Sequence, residues 1–142
     1  MANLYGKIKE ALFNQLVTGF NASTEKVDVY KVHYQNIAQF PAVAIELSKR
    51  GKVKKGLGVS ERNLTFFVWV YTDILDCEEA EEQCYEILEI AERIIEEDKT
   101  LNGAAAYLSI DEDAEFGQVL NGEANFLQGA KLVVTIRGKM EG

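Results

Sequence analysis

The chain has 142 residues, 15 Lys+Arg against 23 Asp+Glu for a formal net charge of −8, and an apolar fraction of 47%. That length suits one domain over 1–142, burying roughly two-thirds of the surface of its unfolded chain, and the apolar fraction excludes a wholly disordered chain. The acid excess argues against a general nucleic-acid binder, two Cys exclude a disulfide framework, and no run reaches the ~18–20 apolar residues of a membrane span.

Residues 4–18 are predicted helical. Leu4, Ile8, Leu12 and Leu16 repeat every four residues, and Gly19 follows where a left-handed cap favours glycine. The charges Lys7, Lys9 and Glu10 are spread through this stretch rather than grouped ahead of an apolar run. No signal peptide is read, and a cytosolic, reduced chain is expected. The acceptor patterns Asn21-Ala22-Ser23 and Asn63-Leu64-Thr65 carry no weight without secretion. Residues 21–25 are polar and loop-like. Val27 and Val29 alternate with Asp28 and Tyr30, as in a strand. Residues 40–47 form a second strand, opened by Pro41, which fits the first position of a strand. Residues 49–58 are a basic, Gly-rich link, and 62–72 is the strongest strand of the chain. Strand, flexible tip and strand predict a long β-hairpin. Asp76 can cap a helix over 76–97, with Glu79 at the capping-box spacing. Its apolar stripe is Cys77, Ala80, Cys84, Ile87, Ala91 and Ile94. Residues 98–103 end it, 104–110 is a short strand, 111–122 an acidic loop, and 125–137 a last strand. The order predicts an α+β fold, with both helices on one face of a mostly antiparallel sheet.

Catalytic constellations are missing. His33 is the only histidine, and its neighbours Val32, Tyr34 and Gln35 form no catalytic pattern. Cys77 and Cys84 are seven residues apart, roughly 10 Å along a helix, too far for a disulfide and without the spacing of a zinc site. They read as small core residues. Gly51 to Gly56 has the G-x4-G half of a phosphate loop, but Leu57 and Gly58 stand where Lys and Ser/Thr are required. Asp111, Asp113 and Glu115 alternate like a calcium loop, yet Phe116 occupies the position that needs glycine. The Glu run of the long helix reads as a solvated face. No enzyme, cofactor or metal is expected.

Two features ask for a partner. In strand 64–71 one face is Leu64, Phe66, Val68 and Val70, and the other is Phe67, Trp69 and Tyr71. A one-sided antiparallel sheet would be polar on its second face. Either the chain wraps the aromatic face itself, or another subunit covers it. The hairpin carries Lys49, Arg50, Lys52, Lys54 and Lys55, while residues 73–98 hold twelve acids and only Arg93 as a base. That segment is −11, which leaves +3 for the rest of a chain totalling −8. The basic tip is a solvated turn or an arm reaching an acidic neighbour. Head-to-tail contact of such an arm with an acidic face can close a ring.

The N-terminal helix, Phe-Pro-Ala-Val-Ala-Ile-Glu-Leu at 40–47, Leu-Thr-Phe-Phe-Val-Trp-Val-Tyr-Thr-Asp at 64–73, Ile-Leu-Glu-Ile-Ala-Glu-Arg-Ile-Ile at 87–95, Asp-Lys-Thr-Leu-Asn-Gly at 98–103 and Lys-Leu-Val-Val-Thr-Ile-Arg at 131–137 come in a telling order. In it the chain resembles the tail terminator, or tail-completion, proteins of long-tailed bacteriophages. The resemblance covers nearly the whole chain. It implies a virion structural protein of the tail and neck, assembled in the host cytoplasm. It also implies a homohexameric ring that caps the tail tube protein, stops its elongation and joins the head–tail connector, with DNA only passing through the lumen. It transfers no catalytic or contact residues. The interface candidates Lys49, Arg50, Lys52, Lys54, Lys55, Phe67, Trp69 and Tyr71 come from the physical reading alone. Two other readings stay open. One is a head-closure component of the neck. The other is a small bacterial regulatory or ligand-binding α+β domain, dimeric through residues 77–94, although Ala80, Cys84 and Ala91 make a thin seam better suited to packing on a sheet.

Overall fold

The computed structural model describes residues 4–23, 27–31, 41–74, 76–121 and 125–138, without the side chains of 53, 55, 59, 77, 118–121 and 125–128. Helix α1 (Leu4–Asn21) buries Ile8, Leu12, Leu16 and Phe20, one stripe of a four-residue repeat. The helix runs through Gly19 instead of ending at it. Gly19 is an interhelical contact and not a cap: a Cβ there would stand 2.5–2.7 Å from three side-chain carbons of Ile94.

Helix α2 (Cys77–Glu96) starts as the sequence predicts. The Asp76 carboxylate accepts the Glu79 N–H at 3.0 Å, and Glu78 and Glu79 set negative charge against the positive helix start. Ala80, Cys84, Ile87, Leu88, Ala91, Ile94 and Ile95 are buried. Burial pushes the Cys84 thiol up to about 11, so it stays protonated and inert at neutral pH. Gln15 of α1 closes the far end of α2. Its Nε2 donates to the carbonyls of Ile94 at 2.9 Å, which also accepts the Glu97 N–H, and Ile95 at 3.2 Å, near the helix end where carbonyls run short of intrahelical donors.

The sheet is mixed, in the order β1-β2-β3-β6-β4, with β5 also on β6. Its strands are β1 (Asp28–Tyr30), β2 (Ala42–Gly56), β3 (Val59–Thr72), β4 (Tyr107–Ile110), β5 (Glu115–Asn121) and β6 (Asn125–Arg137). Among the described residues only β1 and β2 pair parallel; the other pairs are antiparallel. Directly opposed residues share a face. The face carrying Val43, Ile45, Phe66, Val68, Leu132, Val134 and Leu108 joins the α1 and α2 stripes in one core. Both helices therefore lie on that face, as the α+β reading expects.

Two loops of the sequence reading are strands here. The basic 49–58 link is ladder up to Gly56, where β2 meets Val59 of β3. Only Leu57 and Gly58 turn, and Gly58 takes the left-handed φ of 72°. Residues 115–121, read as acidic loop, form β5, with Asn121 opposite Asn125. A short edge strand needs no long apolar alternation, because one ladder with β6 satisfies it.

After α2 the chain turns at Asp98, whose carboxylate accepts from the Thr100 N–H (3.0 Å), the Thr100 hydroxyl (2.6 Å) and the Asn102 N–H (2.8 Å). These bonds hold Leu101 and Asn102 at φ of 50° and 58°, with Leu101 buried. The Thr100 hydroxyl and the two amides lower the Asp98 pKa below its ordinary value. A depressed carboxylate stabilises the fold above its unfolded pKa, and that contribution is lost as pH falls through the folded value. Asp98→Asn is therefore expected to lower the thermal midpoint at about pH 7 and to make far less difference near pH 3. An equal gap at both pH values would show that the bonds do not depend on the ionised form.

Candidate functional site

The basic hairpin projects from the sheet. β6 supports β3 only from Thr72 back to Asn63, and the Gly138 N–H reaches the Arg62 carbonyl at 2.8 Å. Beyond that point, among the described residues, β2 and β3 pair with each other alone, as a two-stranded arm about 17 Å long at ~3.3 Å per residue. Lys49, Arg50, Lys52 and Lys54 are exposed; the side chain of Lys55 lies outside the described set.

Register sorts these cations. Arg50 is opposite Leu64, Lys52 opposite Arg62 and Lys54 opposite Ser60, so these residues continue the helix-bearing face of the sheet. Lys49 is opposite Thr65, on the other face. Lys52 and Arg62 set like charges directly across the ladder, which costs stability. Among the described residues, Lys49, Arg50, Lys52 and Lys54 make no ion pair. At the tip, Leu57 is 103% exposed.

The aromatic candidates are placed differently. Tyr71 is fully buried, with Ala42 and Ala44 beside it also at 0% exposure. It is part of this chain's own packing and is not available as a surface contact. Trp69 stacks on Tyr71 with ring centres 6.0 Å apart, and Phe67 meets Trp69 edge-on, also at 6.0 Å. Both are half-buried. The Trp69 indole N–H donates to Glu46 at 3.0 Å. Lys131 lies over Phe67 at 4.4 Å and over Trp69 at 5.5 Å, and pairs with Glu115 at 3.6 Å. Of the two readings of this face, the chain wraps the Tyr71 end itself, and Phe67 and Trp69 keep part of their rings in solvent.

The solvent side of α2 is acidic. Glu78, Glu82, Glu86, Glu89, Glu92 and Glu96 follow one another at spacings of three or four. Such like-charge neighbours weaken a helix. Partial burial, with repulsion from Glu96 and Glu89, raises the pKa of Glu92 above the ordinary carboxylate value. Within this surface stands an apolar island that sequence reasoning missed. Tyr85 (54% exposed) stacks on Phe116 (40% exposed) of β5, ring centres 6.0 Å apart. A hydrogen bond to Glu89 and its negative charge raise the Tyr85 pKa above the ordinary phenol value. Tyr85 could have been flagged as the one aromatic on the polar face of the predicted helix. Phe116 could not, because its stretch reads as loop.

His33 lies outside the described residues, as does the Cys77 side chain. Among the described residues no group of three or more His, Cys, Asp or Glu could hold a metal ion, and no helix is long and apolar enough to cross a membrane. An open groove of about 1170 Å³ runs between α1 and residues 97–104, past Lys7, Glu10, Asn14 and Asn102. The surface is therefore equipped for contact: a cationic arm with an apolar tip, and an acidic face with an aromatic island.

No family model matches the chain, and no curated protein matches it. Among solved structures, a chain in the virion of a native gene transfer agent particle has a similar fold. The TM-score is 0.50 at 13% sequence identity, and the likeness covers 97% of this chain and 98% of that one. At that identity the likeness is one of fold.

Proposed function

We propose that this chain is a structural virion protein of the tail-terminator kind. Copies join head to tail into a ring, a hexamer by the resemblance of the sequence. The ring caps the tail tube, stops its elongation and offers its other side to the head–tail connector, and DNA passes through the lumen without being held. The observation that carries this reading is the end-to-end likeness of fold to a chain of a virion particle, spanning 97% of this chain. The segregation of charge supports it. A chain with −11 on one segment and five bases within residues 49–55 suits self-association between unlike surfaces. The lumen needs no basic lining, since a ring that gripped phosphates would hinder passage of DNA.

The test is assembly. Purified chain is expected to form rings in negative-stain images and to bind one end of isolated tail tubes, blocking further addition of tube subunits. Tubes that keep growing in its presence, with no density at their ends, would overturn the reading.

A further inference from the structure

The arm and the Tyr85–Phe116 island lie at different ends of the sheet. The arm leaves the sheet at the end where Asn63 faces Arg137. Phe116 sits on the outermost strand beyond β6, opposite Ala130, about 23 Å back along β6 at ~3.3 Å per residue. The arm points away from that site, so a subunit cannot bring its own tip to its own aromatic island. Their surfaces are nonetheless complementary. The arm has an exposed Leu57 followed inward by Lys54, Lys52 and Arg50 on one face. The island has exposed Tyr85 and Phe116, with the exposed Glu81, Glu82 and Glu89 within one helical turn of Tyr85. Apolar centres ringed by opposite charges are the usual anatomy of a specific contact.

We propose that the arm of one copy docks on the α2–β5 face of a second copy, with Leu57 on the Tyr85–Phe116 pair and Lys52 and Lys54 against Glu82 and Glu89. The contact is heterologous: each copy gives one arm and receives one. Repeated, such a contact makes a closed ring or an open filament. It relieves two costs carried by the free subunit, the Lys52–Arg62 repulsion across the arm and the carboxylate crowding along α2. This contact rests on the self-association in the reading above and specifies the surfaces that would make it.

The test is a charge swap in the full-length chain, read as mass in solution by sedimentation. Lys52→Glu/Lys54→Glu and Glu82→Lys/Glu89→Lys are each expected to weaken self-association tenfold or more, with unchanged far-ultraviolet circular dichroism and a thermal midpoint no lower than that of the wild type, since each swap relieves a like-charge repulsion. Leu57→Ser weakens it as well. An equimolar mixture of the two charge variants is expected to recover assembly, because each then offers the arm that the other's face requires. Assembly of either charge variant at wild-type strength, or a mixture that stays monomeric, overturns the contact. A wild-type chain that is monomeric at the highest attainable concentration overturns it too. Rings that form and obey the swap but ignore tail tubes overturn the terminator reading and leave this contact standing.

Discussion

Phe66→Ala is expected to lower the free energy of unfolding by about 4 kcal/mol, and Phe67→Ala, one residue along the same strand, by only about 1 kcal/mol. Phe66 is fully buried in the core between sheet and helices and stacks on Tyr5 with ring centres 6.4 Å apart. Truncating it leaves a cavity that α1 and the β3 neighbours cannot collapse around. Phe67 faces the other side of the sheet, half-buried, under the Lys131 ammonium. Its removal forfeits a partly solvated contact. Urea unfolding midpoints at unchanged m-value check the pair. Equal losses at the two positions would mean that the aromatic face is sealed as tightly as the core. A loss of 4 kcal/mol is a large part of the ~5–15 kcal/mol available to a domain, so Phe66→Ala should also reduce recovery of folded chain.

Gly19→Val is expected to cost about 3 kcal/mol. Helix propensity alone gives the opposite sign, since glycine inside a helix is worse than ordinary residues by up to ~1 kcal/mol. Packing decides, because the first added carbon would already stand 2.5–2.7 Å from Cγ1, Cγ2 and Cδ1 of Ile94. Ile94 is 4% exposed and branched at Cβ, so it has no room to turn away. The two positions should couple. Gly19→Val/Ile94→Ala is expected to be more stable than the sum of the single losses by about 1 kcal/mol or more. Strict additivity in a double-mutant cycle would show that the α1–α2 approach is looser than the structure has it.

These two positions also mark what could be read from the chain beforehand. The stripe Ile8, Leu12, Leu16 and the alternation through 64–71 are local periodicities, and they gave the helix, the strand and the α+β class. Gly19 was legible as a glycine after a periodic run, which is the pattern of a cap. Its use as a contact depends on Ile94, 75 positions away, and no local pattern carries that. The same limit hid β5. Residues 115–121 are held by β6 at the sheet edge, with little periodicity of their own.

The candidate surfaces divide in the same way. The basic arm was visible as composition, yet its presentation was not. Only the register places Arg50, Lys52 and Lys54 on one face with Arg62, and only the end of the β6 ladder at Asn63 frees the arm from the sheet. Alternation groups Tyr71 with Phe67 and Trp69, but it reports a face and says nothing of what lies on it. The structure shuts Tyr71 in and leaves the other two half open.

The sequence by itself determined the elements, the side of each that is apolar, and the separation of −11 on one segment from +3 on the remainder, because these depend on neighbours within a turn or a strand. Only the tertiary structure decided that the cations form an arm, that Leu57 is its tip, and that Tyr85 and Phe116, 31 residues apart in sequence, make one exposed island. Those facts depend on which distant segments the core brings together, and burial of the apolar faces sets that for the chain as a whole.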